Sequence, residues 1–220
     1  MNLAILASGN GTNAQAVVEA VRAGKIDAAI AVIITNRTDA GVIERARRFG
    51  LPIEILPSKG ISDRRVYDSS LLELLRRYEV DTVVLAGWMR ILSDVMLTAY
   101  EGRMINLHPA ILPSFPGGTG IHDAYEYGVK LAGCTVHLVS AVLDGGPIII
   151  QAAVPVEGSE AEVEERIHKM EHLILPQALQ WLCEGRIRTD GRRVTILPSE
   201  KALNRTAVID GCLISPALED

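Results

Sequence analysis

Short apolar runs alternate along the first half of the chain with stretches whose apolar residues return every three to four positions, and few folds accept that rhythm. Residues 3–7, 29–35, 53–56 and 82–86 read as buried strands. Between them, Ala14, Val17, Val18 and Val21 share one helical face before Gly24. Residues 40–49 make a second helix stopped at Gly50, and residues 65–78 a third, with Val66, Leu71, Leu74, Leu75 and Tyr78 on or near one face. Links this short between strand and helix demand parallel strands joined by crossover helices.

Beyond Gly87, residues 88–92 are mostly apolar, a short helix is expected over 94–100, and the alternation from Met104 to Leu107 marks another strand. Residues 113–120 are rich in Pro and Gly and read as a shaped loop. Strands over 133–139 and 147–154 are joined by residues 140–146, a link short enough for antiparallel neighbours. A long helix follows from an N-cap at Ser159 to about Cys183, with Val163, Ile167, Met170, Ile174 and Ala178 as its core stripe; Pro176 is expected to kink it or split it. Residues 186–188 and 194–197 suggest a hairpin around Asp190-Gly191, and the last 20 or so residues show no clear period. The expected architecture is therefore α/β: a Rossmann-like mixed, mostly parallel sheet with helices on both faces. A single domain over 1–220 is expected, its end, about 186–220, being hairpin and tail.

The strand ending at Asn106, His108 and Pro109 is where such a sheet keeps its chemistry. Two positions apart on an extended chain, Asn106 and His108 can point the same way and offer an amide donor and a titratable ring to one reacting atom. A structural histidine at a strand end is the plain alternative. Asp144, in Leu143-Asp144-Gly145-Gly146-Pro147, is by default a turn aspartate; folded back on His108, its carboxylate would favour the imidazolium and supply a general acid. His137 is either a hydrogen-bonded core residue or a support behind that pair.

Gly9, Gly11 and Ala14 satisfy the degenerate dinucleotide fingerprint, but the end of the second strand holds Thr35-Asn36-Arg37 and no acid for a ribose. Arg37 leaves a phosphorylated dinucleotide open. A monophosphate cradle needs less: glycines that let the backbone approach an anion, with Thr12 and Asn13 as donors at a helix start. A plain strand-to-helix turn is the third reading. Residues 88–92 suit either a wall for a flat heterocycle or core packing. Arg64 could reach an anion or belong to a solvated pair with Arg65.

Composition narrows the partners. With a net charge of −5 and 4% aromatic residues, nucleic acid is not an expected partner. The N-terminal apolar run is too short for a signal or membrane segment, so no membrane is expected. Three scattered cysteines, Cys134, Cys183 and Cys212, fit a reducing cytoplasm and neither a disulfide framework nor zinc. His122, His168 and His172 lack partners at metal spacing, so no metal is expected.

With Ser8-Gly9-Asn10-Gly11-Thr12-Asn13, Ala86-Gly87-Trp88-Met89-Arg90-Ile91-Leu92, Asn106-Leu107-His108-Pro109 and Asp144-Gly145-Gly146-Pro147 in this order, the chain resembles the family of 10-formyltetrahydrofolate-dependent phosphoribosylglycinamide formyltransferases, over residues 1 to about 185. The resemblance implies formyl transfer from 10-formyltetrahydrofolate to glycinamide ribonucleotide in purine biosynthesis, without a metal, by a cytoplasmic monomer or homodimer. It implies that Asn106, His108 and Asp144 are catalytic, and that Gly11, Thr12 and Asn13 hold the substrate phosphate. Glu171 and the turn before it, His168, Lys169 and Met170, would contact the same substrate. Arg64, Met89, Arg90, Ile91, Leu92, Asn106, Ser140, Ala141, Val142, Leu143 and Asp144 would line the folate pocket. The loop 116–122 is more glycine-rich than in familiar bacterial relatives, and the tail from about 189 matches nothing recognised. A formyltetrahydrofolate hydrolase shares the triad but usually has an N-terminal domain, for which a first strand at Leu3 leaves no room. A noncatalytic nucleotide-binding module would leave Asn106, His108 and Asp144 unexplained.

Overall fold

Two compact units make up the computed structural model: Met1–Asn106 with Val139–Ala141, and Leu107–Leu138 with Val142–Asp220. It describes residues 1–198 and 206–219, so 199–205 and 220 of the expected tail lie outside the described residues.

In the first unit the order is β1 (Asn2–Leu6), α1 (Thr12–Arg22), β2 (Ala29–Thr35), α2 (Val42–Arg48), β3 (Ile53–Ile55), α3 (Arg64–Arg77), β4 (Thr82–Leu85), α4 (Asp94–Ala99) and β5 (Met104–His108). All the strand pairs here are parallel, in the spatial order β5-β4-β1-β2-β3. Successive residues Leu3, Ala4, Ile5 and Leu6 are each fully buried, so both faces of β1 are covered, as continuous apolar runs require. One face packs on α3: Ala4, Leu6, Val32, Ile34, Val83 and Leu85 share a core with Tyr67, Leu71, Leu74 and Leu75. The side chain of Asp63 caps α3 by accepting from Arg65 N at 2.8 Å.

The second unit holds α5 (Gly120–Tyr127), β6 (Leu131–Leu138), β7 (Ile148–Pro155), α6 (Glu160–Cys183), β8 (Ile187–Asp190), β9 (Arg193–Ile196), β10 (Ala207–Ile209) and β11 (Cys212–Ser215). Here β6, β7, β11 and β10 pair antiparallel in that order, so the strand pairing of the chain is mixed. The hairpin of β8 and β9 stands apart as its own two-stranded sheet. A capping box starts α6: Ser159 Oγ accepts from Glu162 N, and the Glu162 carboxylate accepts from Ser159 N at 2.6 Å. Among the described residues, no helix is long and apolar enough to cross a membrane.

Four expectations need correction. Val66 is exposed, and Tyr67 takes its place in the core, because 67, 71, 74 and 75 follow the helical period whereas 66 does not. Of the kink or split expected at Pro176, the split does not occur: α6 runs through it as one helix. An interior proline costs about 3 kcal/mol, whereas the buried Ile174, Leu175 and Leu179 each contribute about 2 kcal/mol on burial. Helix α5 begins inside what reads as a loop, its first residue being the buried Gly120. The strands β10 and β11 lie in the tail that shows no period, turned by Asp210 and Gly211, both at positive φ.

Candidate active site

At the carboxyl end of β5, Met104, Ile105 and Leu107 are buried, Asn106 is half-buried and His108 is only 3% exposed. Asn106 pairs with Leu85 of β4, at the edge of the parallel sheet where the loops after β1 and β4 also emerge. His108 Nδ1 lies 3.6 Å from Asp144 Oδ2, with both side chains almost wholly withdrawn from solvent. Asp144 reaches this position from a tight turn, at φ +49 with Gly145 N bonded to Val142 O, a conformation aspartate tolerates. The turn returns into β7 only because residue 146 lacks a side chain: a Cβ on Gly146 would stand 1.7 Å from Leu138 O.

The pair is gripped from the loop before α5. Phe115 O accepts from His108 Nε2 at 2.8 Å, and Gly117 N donates to Asp144 Oδ2 at 2.9 Å. His137 stands on the other side of Asp144. Its Nδ1 donates to Leu138 O at 2.9 Å, and its Nε2 lies 3.9 Å from Asp144 Oδ1, too far for a direct hydrogen bond. Burial pushes the His137 imidazole below the ordinary histidine range, outweighing the nearby carboxylate, so the ring sits neutral behind the pair. Phe115 and Gly117 escape sequence reasoning because main-chain groups of a loop leave no residue-type signature.

The loop after β1 has the form expected of an anion cradle. Gly11 adopts φ +74 as the N-cap of α1 and, being glycine, brings no side chain of its own to cap that helix start. A Cβ on Gly11 would lie 2.5 Å from Val42 Cγ2, so glycine is required on both counts. Thr12 and Asn13 open the first turn, whose N–H groups and dipole favour an anion. Ser8 Oγ accepts from Met89 N at 2.9 Å and ties this loop to the one after β4. Arg37 is engaged in a bidentate pair with Asp39.

The stretch after β4 divides its roles. Trp88 and Leu92 enter the core, where Trp88 lies 6.4 Å from the Tyr67 ring, while Met89 and Ile91 are 68% and 50% exposed. Arg90 stacks over Tyr67 at 4.2 Å and donates to Ile61 O. Arg64 is exposed at the first position of α3. Ser140 is half-buried, whereas Ala141, Val142 and Leu143 are exposed around the turn that carries Asp144.

On α6, Glu171 is 2% exposed and its Oε2 lies 2.9 Å from His168 Nδ1, with Glu164 Oε1 at 3.4 Å from the other ring nitrogen. Lys169 is paired with Glu165 at the surface, and Met170 is buried in the core stripe. Among the described residues, no group of three or more His, Cys, Asp or Glu could hold a metal ion.

Comparison with known proteins identifies the family. Residues 1–179 match the family model described as formyl transferase. The chain is 40% identical over 190 residues to the phosphoribosylglycinamide formyltransferase of Escherichia coli, spanning 86% of this chain and 90% of that one. It is 39% identical over 181 residues to the protein of the same name from Bacillus subtilis, spanning 81% and 93%. The crystal structure of glycinamide ribonucleotide transformylase 1 from Symbiobacterium toebii superposes with a TM-score of 0.87 at 45% identity, covering 90% of this chain and 94% of that one. The chain belongs to the formyl transferase family.

Proposed function

We propose that the chain transfers the formyl group of 10-formyltetrahydrofolate to the amine of glycinamide ribonucleotide, releasing formylglycinamide ribonucleotide and tetrahydrofolate in purine biosynthesis. The observation that carries this reading is the buried His108–Asp144 pair at the end of the strand that also bears Asn106. The substrate amine attacks the formyl carbon directly, and the carbonyl electrons move onto oxygen. Asn106 and a protonated His108 donate to that oxyanion, each donor being worth about 3 kcal/mol in the transition state. Collapse breaks the bond from the formyl carbon to the folate nitrogen. A proton passes from the attacking nitrogen to the leaving one, with Asp144 sustaining the imidazolium.

The same reading gives the phosphate to Gly11, Thr12 and Asn13, supported by the glycine N-cap at the start of α1. It gives the rest of the ribonucleotide to Glu171 and the turn before it, His168, Lys169 and Met170. It gives the folate to Arg64, Met89 to Leu92, Asn106 and Ser140 to Asp144, supported by the solvent-facing apolar surfaces of Met89, Ile91, Val142 and Leu143. His137 supports the pair from behind. The protein acts in the cytoplasm, as a monomer or homodimer. An absorbance assay of folate deformylation tests the reading: tetrahydrofolate should appear only when glycinamide ribonucleotide is present. Release without the amine would make the protein a hydrolase.

A further inference from the structure

Phe115 is an aromatic residue held at φ +53, in the left-handed region that L side chains other than Asn and Asp rarely occupy. Such outliers persist where the surroundings over-determine them, and they cluster at functional sites. Here the surroundings are specific. The Phe115 ring meets Tyr127 of α5 edge-on, with centroids 5.8 Å apart, and its carbonyl oxygen is 2.8 Å from His108 Nε2. Two residues on, Gly117 N occupies part of Asp144 Oδ2.

A backbone carbonyl can only accept, so Nε2 must carry a hydrogen to make the bond to Phe115. A neutral imidazole has one hydrogen to place, which leaves the lone pair on Nδ1. That nitrogen faces Asp144 Oδ2 at 3.6 Å, too far for a direct hydrogen bond, so a proton taken up on Nδ1 is available to a third atom. His137, the other ionisable group facing Asp144, is arranged the opposite way: its Nδ1 carries the hydrogen, given to Leu138 O.

We propose that Phe115 is a positioning residue for formyl transfer: its main-chain carbonyl fixes His108 in the Nε2–H tautomer, so that Nδ1 is the nitrogen that takes up the proton and presents it to the developing oxyanion. This rests on the function proposed above and adds to it which ring nitrogen acts and what selects it. The imidazolium then donates to Phe115 O through Nε2 without giving that proton away. The Nδ1 proton stabilises the oxyanion and is held by Asp144 as the intermediate collapses. The strain at Phe115 is the local cost of aiming a carbonyl into the site.

The test is a two-bond proton–nitrogen correlation spectrum of the full chain labelled with 15N-histidine, at about pH 9, where ordinary imidazoles are neutral. His108 is assigned by its loss in His108→Ala. The expected result is a protonated Nε2 and bare Nδ1 for His108, with the reverse pattern for His137 as an internal reference. A His108 ring protonated on Nδ1 overturns the proposal. Phe115→Pro, whose φ is locked near −65°, cannot reach the native conformation. It should leave His108 in mixed tautomers and lower kcat about tenfold or more, part of the roughly hundredfold or greater contribution of a general acid–base group, with KM for the ribonucleotide little changed. Phe115→Asn loses the ring but tolerates the left-handed region, and it should retain the Nε2–H tautomer. Pure Nε2–H in a folded Phe115→Pro would also overturn the proposal. If Phe115→Pro does not fold, the wild-type spectrum decides alone. That spectrum needs no substrate: a wild-type chain that transfers no formyl group refutes the function, whereas transfer with His108 protonated on Nδ1 refutes only the role of Phe115.

Discussion

His168 Nδ1 stands 2.9 Å from Glu171 Oε2, a half-exposed imidazole against a carboxylate that is 3% exposed. The hydrogen bond to Glu171 raises the His168 pKa, with the charges of Glu171 and Glu164 acting in the same sense against partial desolvation. A base whose folded-state pKa lies above its unfolded value stabilises most below the unfolded value, about 6.5, and that contribution fades as pH rises through the raised one. The urea midpoint should therefore decline on going from about pH 6 upward, and His168→Gln should flatten that decline. Parallel curves for the two proteins would remove the imidazolium from the account.

Removing members of the His108–Asp144 pair should separate chemistry from folding. His108→Ala should lower kcat by about a hundredfold to a thousandfold while the protein stays folded. Asn106→Ala should cost a similar factor. In Asp144→Asn the shape survives and the charge does not, so kcat should fall while KM for the ribonucleotide holds. Wild-type turnover in His108→Ala would end the assignment.

Gly11→Ala meets two obstacles, the positive φ and a new Cβ 2.5 Å from Val42 Cγ2. We expect a loss of about 1–3 kcal/mol in unfolding free energy. Because the displaced loop is the one assigned to phosphate, KM for the ribonucleotide should rise more than KM for the folate. An equal rise in both would point to general loosening.

Cys134 is fully buried, and burial, reinforced by the charge of Glu171, pushes its thiol well above the ordinary cysteine range. A thiol kept protonated is a poor nucleophile. Mass spectrometry after iodoacetamide treatment should find Cys134 unmodified in the native protein and alkylated in concentrated urea. Native modification at a rate comparable to that in urea would mean that this strand opens readily.

Much of this architecture is legible in residue order, for definite reasons. The runs over 3–7 and 29–34 are apolar at every position because strands buried on both faces over much of their length need no alternation, and they appear as Asn2–Leu6 and Ala29–Thr35. Asn106 and His108 announce themselves by interrupting an apolar run just before a proline. Asp144 does not: its turn is self-sufficient as a turn, and only resemblance to a family links it across the intervening chain to His108. Helix α5 is short and glycine-led, so its period is too brief to detect. The hairpin of β10 and β11 carries an Asp210-Gly211 turn signal that was open to reading. Its apolar residues mislead, because the directly paired Val208 and Leu213 are both exposed.

The pairing of Leu213, Ile214 and Ser215 with Ala153, Ala152 and Gln151 has a practical corollary. A version of the protein trimmed before residue 206, tempting because the family match stops at 179, would strip the amides and carbonyls of that flank of β7 of their partners. Bare main-chain groups in a row recruit any extended chain nearby. Such a trimmed protein should precipitate or swap strands even though every side chain of the proposed site is intact, so expression work is better served by keeping the final hairpin.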